Sequence, residues 1–268
     1  MSRTMTNPKP FRSGALLVLL AATIACGRGA GPGSGALSVA SPDGRLVLSL
    51  ATAAKPRPYA EGERLYYRVT YEGAPVLVDS PLGLDLLGAP VLERDLEVVG
   101  KAERSNDSTW ENPFGALRTV PDKYNELVVS LREKHAPGRR LDVVLRAYDE
   151  GVAFRYVLPK QEAVGGELAV AAESTGFYFA GETRALALNL GRWDTSNEGP
   201  YAWTPLAALK PTSLVHTPLL VEMPGAGLWA ALLEADLTDY AGLYVAGAAG
   251  VPNCLTARLS VPPRRALD

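Results

Sequence analysis

"LDVVLRAYDEGVAFRYVL", residues Leu141 to Leu158, is the stretch on which the fold class turns. Leu141, Val143, Leu145 and Ala147 face one way, Asp149-Glu150-Gly151 supplies turn residues, and Val152, Phe154, Tyr156 and Leu158 return with the same period. A period of two on both arms of a turn predicts an antiparallel hairpin with one face in a core. Upstream, "RLYYRVTY" sets Leu65, Tyr67, Val69 and Tyr71 against Tyr66, Arg68 and Thr70, and Glu72-Gly73 turns the chain into "APVLV". "ELVVSLRE" (Glu126 to Glu133) alternates likewise and runs into a polar turn, "KHAPGRR". Downstream come "TPLLVEM", "GLWAALLEADL" and "GLYVAG", separated by glycine-rich or polar links.

No stretch of about a dozen residues carries a 3.6-residue apolar stripe. "GLWAALLEADL" (Gly227 to Leu237) is the best helix candidate by propensity, while the glycines around it suit a strand equally well. Strands at intervals of roughly 10 to 15 residues, broken by Gly, Pro and Asp, predict an all-β chain built as a large antiparallel sandwich. No internal repeat is visible, and no βαβ alternation, which argues against a doubly wound sheet or a (β/α)8 barrel within this chain.

The 268 residues are 47% hydrophobic and 21% charged, enough to bury a sizeable core in one domain. Basic and acidic residues number 27 and 29, without long runs of either sign, which argues against nucleic acid as a partner. The first 26 residues read as an export signal: Arg3, Lys9 and Arg12, then the apolar "SGALLVLLAATIA" ending at Ala25. Cys26 after "TIA" resembles a bacterial lipoprotein signal, whose cysteine is lipidated; Thr23 in place of the usual leucine leaves ordinary cleavage near Ala25 open. The expected location is the periplasm or the membrane surface. Removing Arg3, Lys9 and Arg12 and no acidic residue takes the net charge from −2 to −5. "GRGAGPGSGA" (Gly27 to Ala36) reads as a flexible tether. Cys254 is then the only other cysteine, so a disulfide framework is excluded, and a buried apolar role suits it.

Chemistry is sparse. His135 sits in a Lys/Pro/Gly turn and His216 at a strand entry, and two histidines without a cysteine nearby do not make a zinc site. There is no HExxH, GxSxG or phosphate loop. "DTSNEG" lacks the ligand spacing of an EF-hand. Asn106-Asp107-Ser108 matches a glycosylation acceptor, which carries little weight behind a bacterial-type signal. In "RWDTSNEGPYAW" (Arg192 to Trp203), Glu198 has Trp193, Tyr201 and Trp203 within five residues. Aromatic faces suit the C–H faces of sugar rings, and a carboxylate suits hydroxyls or a hard cation such as calcium. The plain alternative is core rings flanking a surface turn. Glu234, Asp236 and Asp239, beside Tyr240 and Tyr244, form a second acidic cluster of the kind usually just solvated.

"SPDGRLVLSL", "SPLGLDL", "YNELVVSLRE", "RAYDEGVAFRYVLP", "NEGPY" and "EADLTDYAGLYV" occur here in the order found in glycoside hydrolase family 97. From about Ala36 to Leu259 the chain resembles the N-terminal domain of that family. The resemblance implies a β-super-sandwich similar to galactose mutarotase-like domains, packed against a catalytic (β/α)8 barrel. It implies hydrolysis of α-glucosides or α-galactosides near a calcium ion, with most ligands and both catalytic carboxylates on the barrel. The sandwich lends one glutamate, and the position that matches is Glu198 of "NEGPY"; Trp193, Tyr201 and Trp203 would then wall a carbohydrate pocket.

After residue 260 the chain runs "VPPRRALD" where family members continue toward the barrel, so the expectation is a truncated tail over residues 261–268 and no glycosidase activity from this chain alone. Glycoside cleavage requires two suitably spaced carboxyl groups. Two other readings stay open. One is a stand-alone cell-surface carbohydrate-binding module; the other is a mutarotase-like isomerase, which needs an acid and a base across the sugar ring. The face meant for a barrel should leave apolar area uncovered.

Overall fold

A computed structural model of the protein describes residues 37–164, 169–238 and 240–260. The export signal, the tether, Cys26, Asp239 and the tail over 261–268 lie outside the described residues. The chain opens as a meander of β1 (Leu37–Ala40), β2 (Leu46–Ala54), β3 (Glu63–Tyr71) and β4 (Ala74–Pro81), hydrogen-bonded in that order. Between β3 and β4, Glu72 and Gly73 both take positive φ (50° and 80°), the mirror-image turn whose twist matches the strands it joins. A short β5 (Leu84–Leu86) follows. The long hairpin of β6 (Leu96–Glu111) and β7 (Thr119–Glu133) then builds a second sheet with β8 (Arg140–Tyr148) and β9 (Val152–Val157).

β10 (Val170–Glu173) returns to β5, and β11 (Gly176–Tyr178), β12 (Arg184–Ala187) and β13 (Ala202–Pro205) come next. The last strands are β14 (Val215–His216), β15 (Leu219–Met223), β16 (Leu228–Leu232), β17 (Leu243–Gly247) and β18 (Cys254–Leu259). They form two four-stranded sheets, β11-β18-β17-β14 and β13-β12-β15-β16. Every ladder is antiparallel. Single bridges, Leu77 to Phe179 and Asn189 to Val215, join neighbouring sheets. The architecture is an all-β antiparallel sandwich.

The hairpin expected at Leu141 to Leu158 is present. Ala147 pairs with Val152, and Tyr148 N–H donates to the Gly151 carbonyl at 2.8 Å. Leu141, Val143, Leu145 and Ala147 are fully buried, and Val152, Phe154 and Tyr156 pack against the same core. On β3, Leu65, Tyr67 and Val69 also enter it, and the Tyr67 hydroxyl donates to the Gly176 carbonyl at 2.8 Å. The opposite face of β3 is drier than alternation predicts: Tyr66 is buried too, edge-on to Tyr59 at 5.5 Å.

In "GLWAALLEADL" the first half is a strand, β16, and no helix forms. Gly227, in the left-handed region (φ 62°), closes a short turn and releases the chain into β16, which pairs with β15 from Met223–Leu228 to Leu219–Leu232. Backbone pairing and a buried partner strand outweigh the helical preference of Ala and Leu. The polar turn "KHAPGRR" hides one surprise: Arg139 is 2% exposed, its guanidinium held by Glu133.

Candidate functional site

Of the Arg192–Trp203 segment, residues up to Tyr201 lie in the loop between β12 and β13, and Ala202 and Trp203 begin β13. The loop's entry is fixed by backbone bonds to β14: Leu190 N–H donates to Leu214 O at 2.8 Å, and His216 N–H donates to Leu188 O at 2.9 Å. Within it, Thr195 N–H donates to Trp193 O (3.1 Å) and Asn197 N–H to the Thr195 hydroxyl (3.1 Å), which curls the chain into a tight polar turn. Asn197 sits at φ 57°, a conformation asparagine tolerates better than most residues. Gly199 lies against Leu188, where a Cβ would approach Leu188 Cδ1 to 2.9 Å.

Tyr244 of β17 pins this loop from below. Its ring meets Trp193 edge-on at 5.0 Å, and its hydroxyl donates to Asn197 Oδ1 at 3.2 Å. Arg258 of β18, opposite Tyr244 in register, stands 5.6 Å from the Trp193 ring, and its Nη1 donates to the Ser213 carbonyl at 3.3 Å. His216 pairs with Tyr244 across the β14–β17 ladder, with ring centroids 5.5 Å apart. Its Nδ1 is buried and makes no hydrogen bond among the described residues. Glu198, one residue past the Asn197 anchor, is exposed. An exposed carboxylate on an anchored loop is free to meet something outside this domain.

The four residues singled out in the sequence are not one cluster of rings. Trp193 belongs to the Tyr244–Arg258–His216 group under the loop. Trp203, on edge strand β13, instead meets Trp229 of β16 edge-on at 5.7 Å, with the Arg184 guanidinium 4.8 Å from its ring. Tyr201 is half exposed at the end of the loop. Tyr244, Arg258, His216, Trp229 and Arg184 complete the two groups. Of these, Tyr244 had a sequence signal in its aromatic-rich acidic stretch and His216 in its place at a strand entry; Arg258, Trp229 and Arg184 had none.

Of the second acidic cluster, Glu234 and Asp236 make local structural hydrogen bonds, and Asp239 lies outside the described residues. Glu234 Oε2 accepts from Leu243 N–H at 2.6 Å, and Asp236 accepts from the Thr238 hydroxyl at 3.2 Å. Tyr240 donates to Glu173 at 2.8 Å. His135 lies exposed in its turn, and Asn106, Asp107 and Ser108 lie on β6. Cys254 is buried, which pushes its thiol up to about 11. Among the described residues there is no group of three or more His, Cys, Asp or Glu able to hold a metal ion. Calcium takes six to eight oxygens, and the described residues do not gather such a set around Glu198.

Fold and loop together define an antiparallel β-sandwich domain with Glu198 exposed on a loop packed onto Tyr244. The chain belongs to glycoside hydrolase family 97: residues 39–266 match the family described as Glycosyl-hydrolase 97 N-terminal. It is 25% identical over 240 residues to a retaining alpha-galactosidase of Bacteroides thetaiotaomicron, covering 86% of this chain and 33% of the relative. It is 31% identical over 221 residues to a probable retaining alpha-galactosidase of Streptomyces bingchenggensis, covering 82% of this chain and 31% of that one. Among solved structures, a family 97 enzyme from Pseudoalteromonas sp. strain K8 in complex with panose superposes with TM-score 0.71 at 25% identity, over 83% of this chain and 32% of that enzyme. A beta-arabinopyranosidase superposes with TM-score 0.68 at 25% identity, over 83% and 35%. The chain thus spans about a third of the length of these relatives.

Proposed function

We propose that this chain is the carbohydrate-facing N-terminal domain of an exported family 97 glycosidase acting on α-galactosides or α-glucosides. Glu198 supplies one oxygen ligand to a calcium ion whose other ligands, with the catalytic acid and base, come from a (β/α)8 barrel. The observation that carries this reading is the exposed Glu198 on a loop braced by Tyr244. The curated relatives are α-galactosidases, and structures of the Pseudoalteromonas enzyme hold panose and acarbose, which supports an α-linked sugar as substrate. When bound, calcium would orient substrate hydroxyls and polarise the leaving oxygen. Trp193 holds the loop in place, while Tyr201 and Trp203 are the rings still exposed to a ligand. Export rests on the basic and apolar segments before Cys26, and Cys26 is the residue that a lipoprotein signal would have lipidated.

The test mixes this chain with the separately produced catalytic two-thirds of the Bacteroides relative and follows release of nitrophenol from aryl α-galactosides and α-glucosides. The chain alone gives no turnover. Turnover in the mixture depends on calcium, and Glu198→Gln weakens the apparent calcium affinity by about tenfold or more, because one charged ligand is lost. An unchanged calcium dependence in the variant would defeat the assignment.

A further inference from the structure

The β6–β7 hairpin outruns the sheet it belongs to. β8 pairs with β7 only as far as Tyr124, whereas β6 and β7 stay paired beyond it, from Asp107–Lys123 to Glu111–Thr119. At about 3.4 Å per residue, this two-stranded ribbon carries its tip about 17 Å past the sheet. The shaft is polar, with Asp107, Ser108 and Thr109 on one strand and Asp122 and Lys123 on the other. Apolar side chains collect at its end: Trp110 is 50% exposed, Phe114 82% and Leu117 61%. Arg118 lies beside them, 3.5 Å from Glu111. Asn112 N–H donates to Arg118 O at 2.7 Å, and Phe114 N–H to Asn112 Oδ1 at 3.3 Å. Gly115, at φ 97°, turns the chain between Phe114 and Leu117.

We propose that this tip enters a lipid surface, the same one to which Cys26 would hold the chain; the proposal rests on the lipoprotein reading above. Three observations select lipid as the occupant. The first is size. Three side chains at the end of a narrow polar shaft fall well short of the roughly 800 Å² per partner that a stable protein interface buries, whereas a lipid surface needs only depth. The second is composition. Phe114 and Leu117 suit the acyl boundary, and Trp110 and Arg118, set behind them on the strands, suit the headgroup level. Asp107, Glu111 and Asp122 against Arg118 and Lys123 leave the ribbon near neutral, so attachment depends on insertion rather than on anionic headgroups. The third is reach. Asn125 Nδ2, at the foot of the ribbon, donates to Ala40 O at 2.9 Å, and Ala40 ends β1, which begins at Leu37. The chain from Cys26 to Leu37 spans about 36–40 Å when extended, more than the about 10 Å of β1 and about 17 Å of ribbon together. Anchor and tip can therefore meet one surface.

For the test, the chain from Cys26 onward is coupled through that thiol to a maleimide lipid in phosphatidylcholine vesicles; Cys254 is buried, so coupling falls on Cys26. Trypsin should cut after Arg118 about tenfold more slowly on the vesicles than in the same chain capped at Cys26 and free in solution, while the cut after exposed Arg192 changes less than about twofold. Phe114→Glu combined with Leu117→Glu should restore the solution rate, and both positions are exposed. A melting temperature within about 2 °C of wild type establishes that the double variant is folded. Cleavage after Arg118 at the solution rate on vesicles, or protection that survives the double variant, overturns the proposal. So does protection in solution by the catalytic two-thirds of the Bacteroides relative, which gives the tip to a protein, or a dimer lost in the double variant, which gives it to a second copy. Coupling supplies the anchor whether or not the cell lipidates Cys26, and labelling of the full chain with radioactive palmitate in a bacterial host tests that step by itself. Protection on vesicles without label in the cell would overturn the lipid-anchor reading and leave tip insertion standing.

Discussion

Tyr244 is the residue whose loss should loosen the Glu198 loop most directly. Its ring contact with Trp193 at 5.0 Å is worth about 0.5–1.5 kcal/mol. Its hydrogen bond to Asn197 at 3.2 Å contributes about 0.5–1.5 kcal/mol, at the lower end because the loop is exposed. Tyr244→Ala then removes about 2 kcal/mol from loop closure, which raises the open population about 30-fold. Arg192 lies exposed inside the loop, so trypsin reports that population directly. When opening and closing are fast, nicking follows the equilibrium. Cleavage after Arg192 should accelerate about 30-fold in Tyr244→Ala and only a few-fold in Tyr244→Phe, which keeps the ring and loses the hydroxyl. Cleavage after Arg118, on the β6–β7 hairpin, should stay unchanged. A Tyr244→Ala rate within about twofold of wild type would show that backbone bonds at Leu190 and Thr195 hold the loop without the aromatic anchor.

Acid should destabilise the sandwich through two partly buried carboxylates, Asp79 and Glu133. Burial pushes the Asp79 and Glu133 carboxyls up, but hydrogen bonds from Arg68 and Lys55, and from Arg139, more than reverse it, so both end below the ordinary range. Depressed native pKa values contribute stability above the unfolded pKa and lose it as pH falls through that value toward the native one. The melting temperature should hold from about pH 7 to pH 5 and drop below about pH 4.5, with Asp79→Asn flattening part of the drop; a flat profile to about pH 3 would contradict the ion-pair account. Gly247→Ala tests the packing under the loop sheets. A Cβ there would run into the Leu209 carbonyl, whose turn is tied to β17 by the Gly247 N–H to Lys210 O bond at 3.1 Å. Because backbone must move, the loss should be about 3 kcal/mol, or roughly 6–12 °C in melting temperature for a domain of this size. A change under about 2 °C would mean the turn shifts freely.

The sandwich was legible wherever local alternation and turn chemistry agreed, as at Leu141–Leu158 and at Glu72-Gly73. Each side chain there reports its own face, and the turn fixes the register without reference to distant chain. Three features were not legible because their cause lies elsewhere in the fold. β16 is a strand because β15 offers it a ladder, which its own alanines and leucines do not announce. Arg139 is buried because Glu133, six residues away across a turn, can satisfy it. Tyr66 is dry because Tyr59, on the connection between β2 and β3, folds over it.

The site shows the same limit more sharply. Neighbourhood along the chain suggested one wall of rings around Glu198, and the backbone divides that wall. Trp193 falls inside the loop and is turned down onto Tyr244, while Trp203 falls on a strand whose alternation sends it outward toward Trp229. Ten residues separate them, but the decisive difference is that one follows turn geometry and the other follows sheet geometry. Within twelve residues of sequence, the first ring packs onto Tyr244 under the loop and the last packs onto Trp229 at the sheet surface. Sequence proximity places all four residues in one segment of the chain. It misjudged the arrangement because a face of a sheet is defined by residues that neighbouring strands supply.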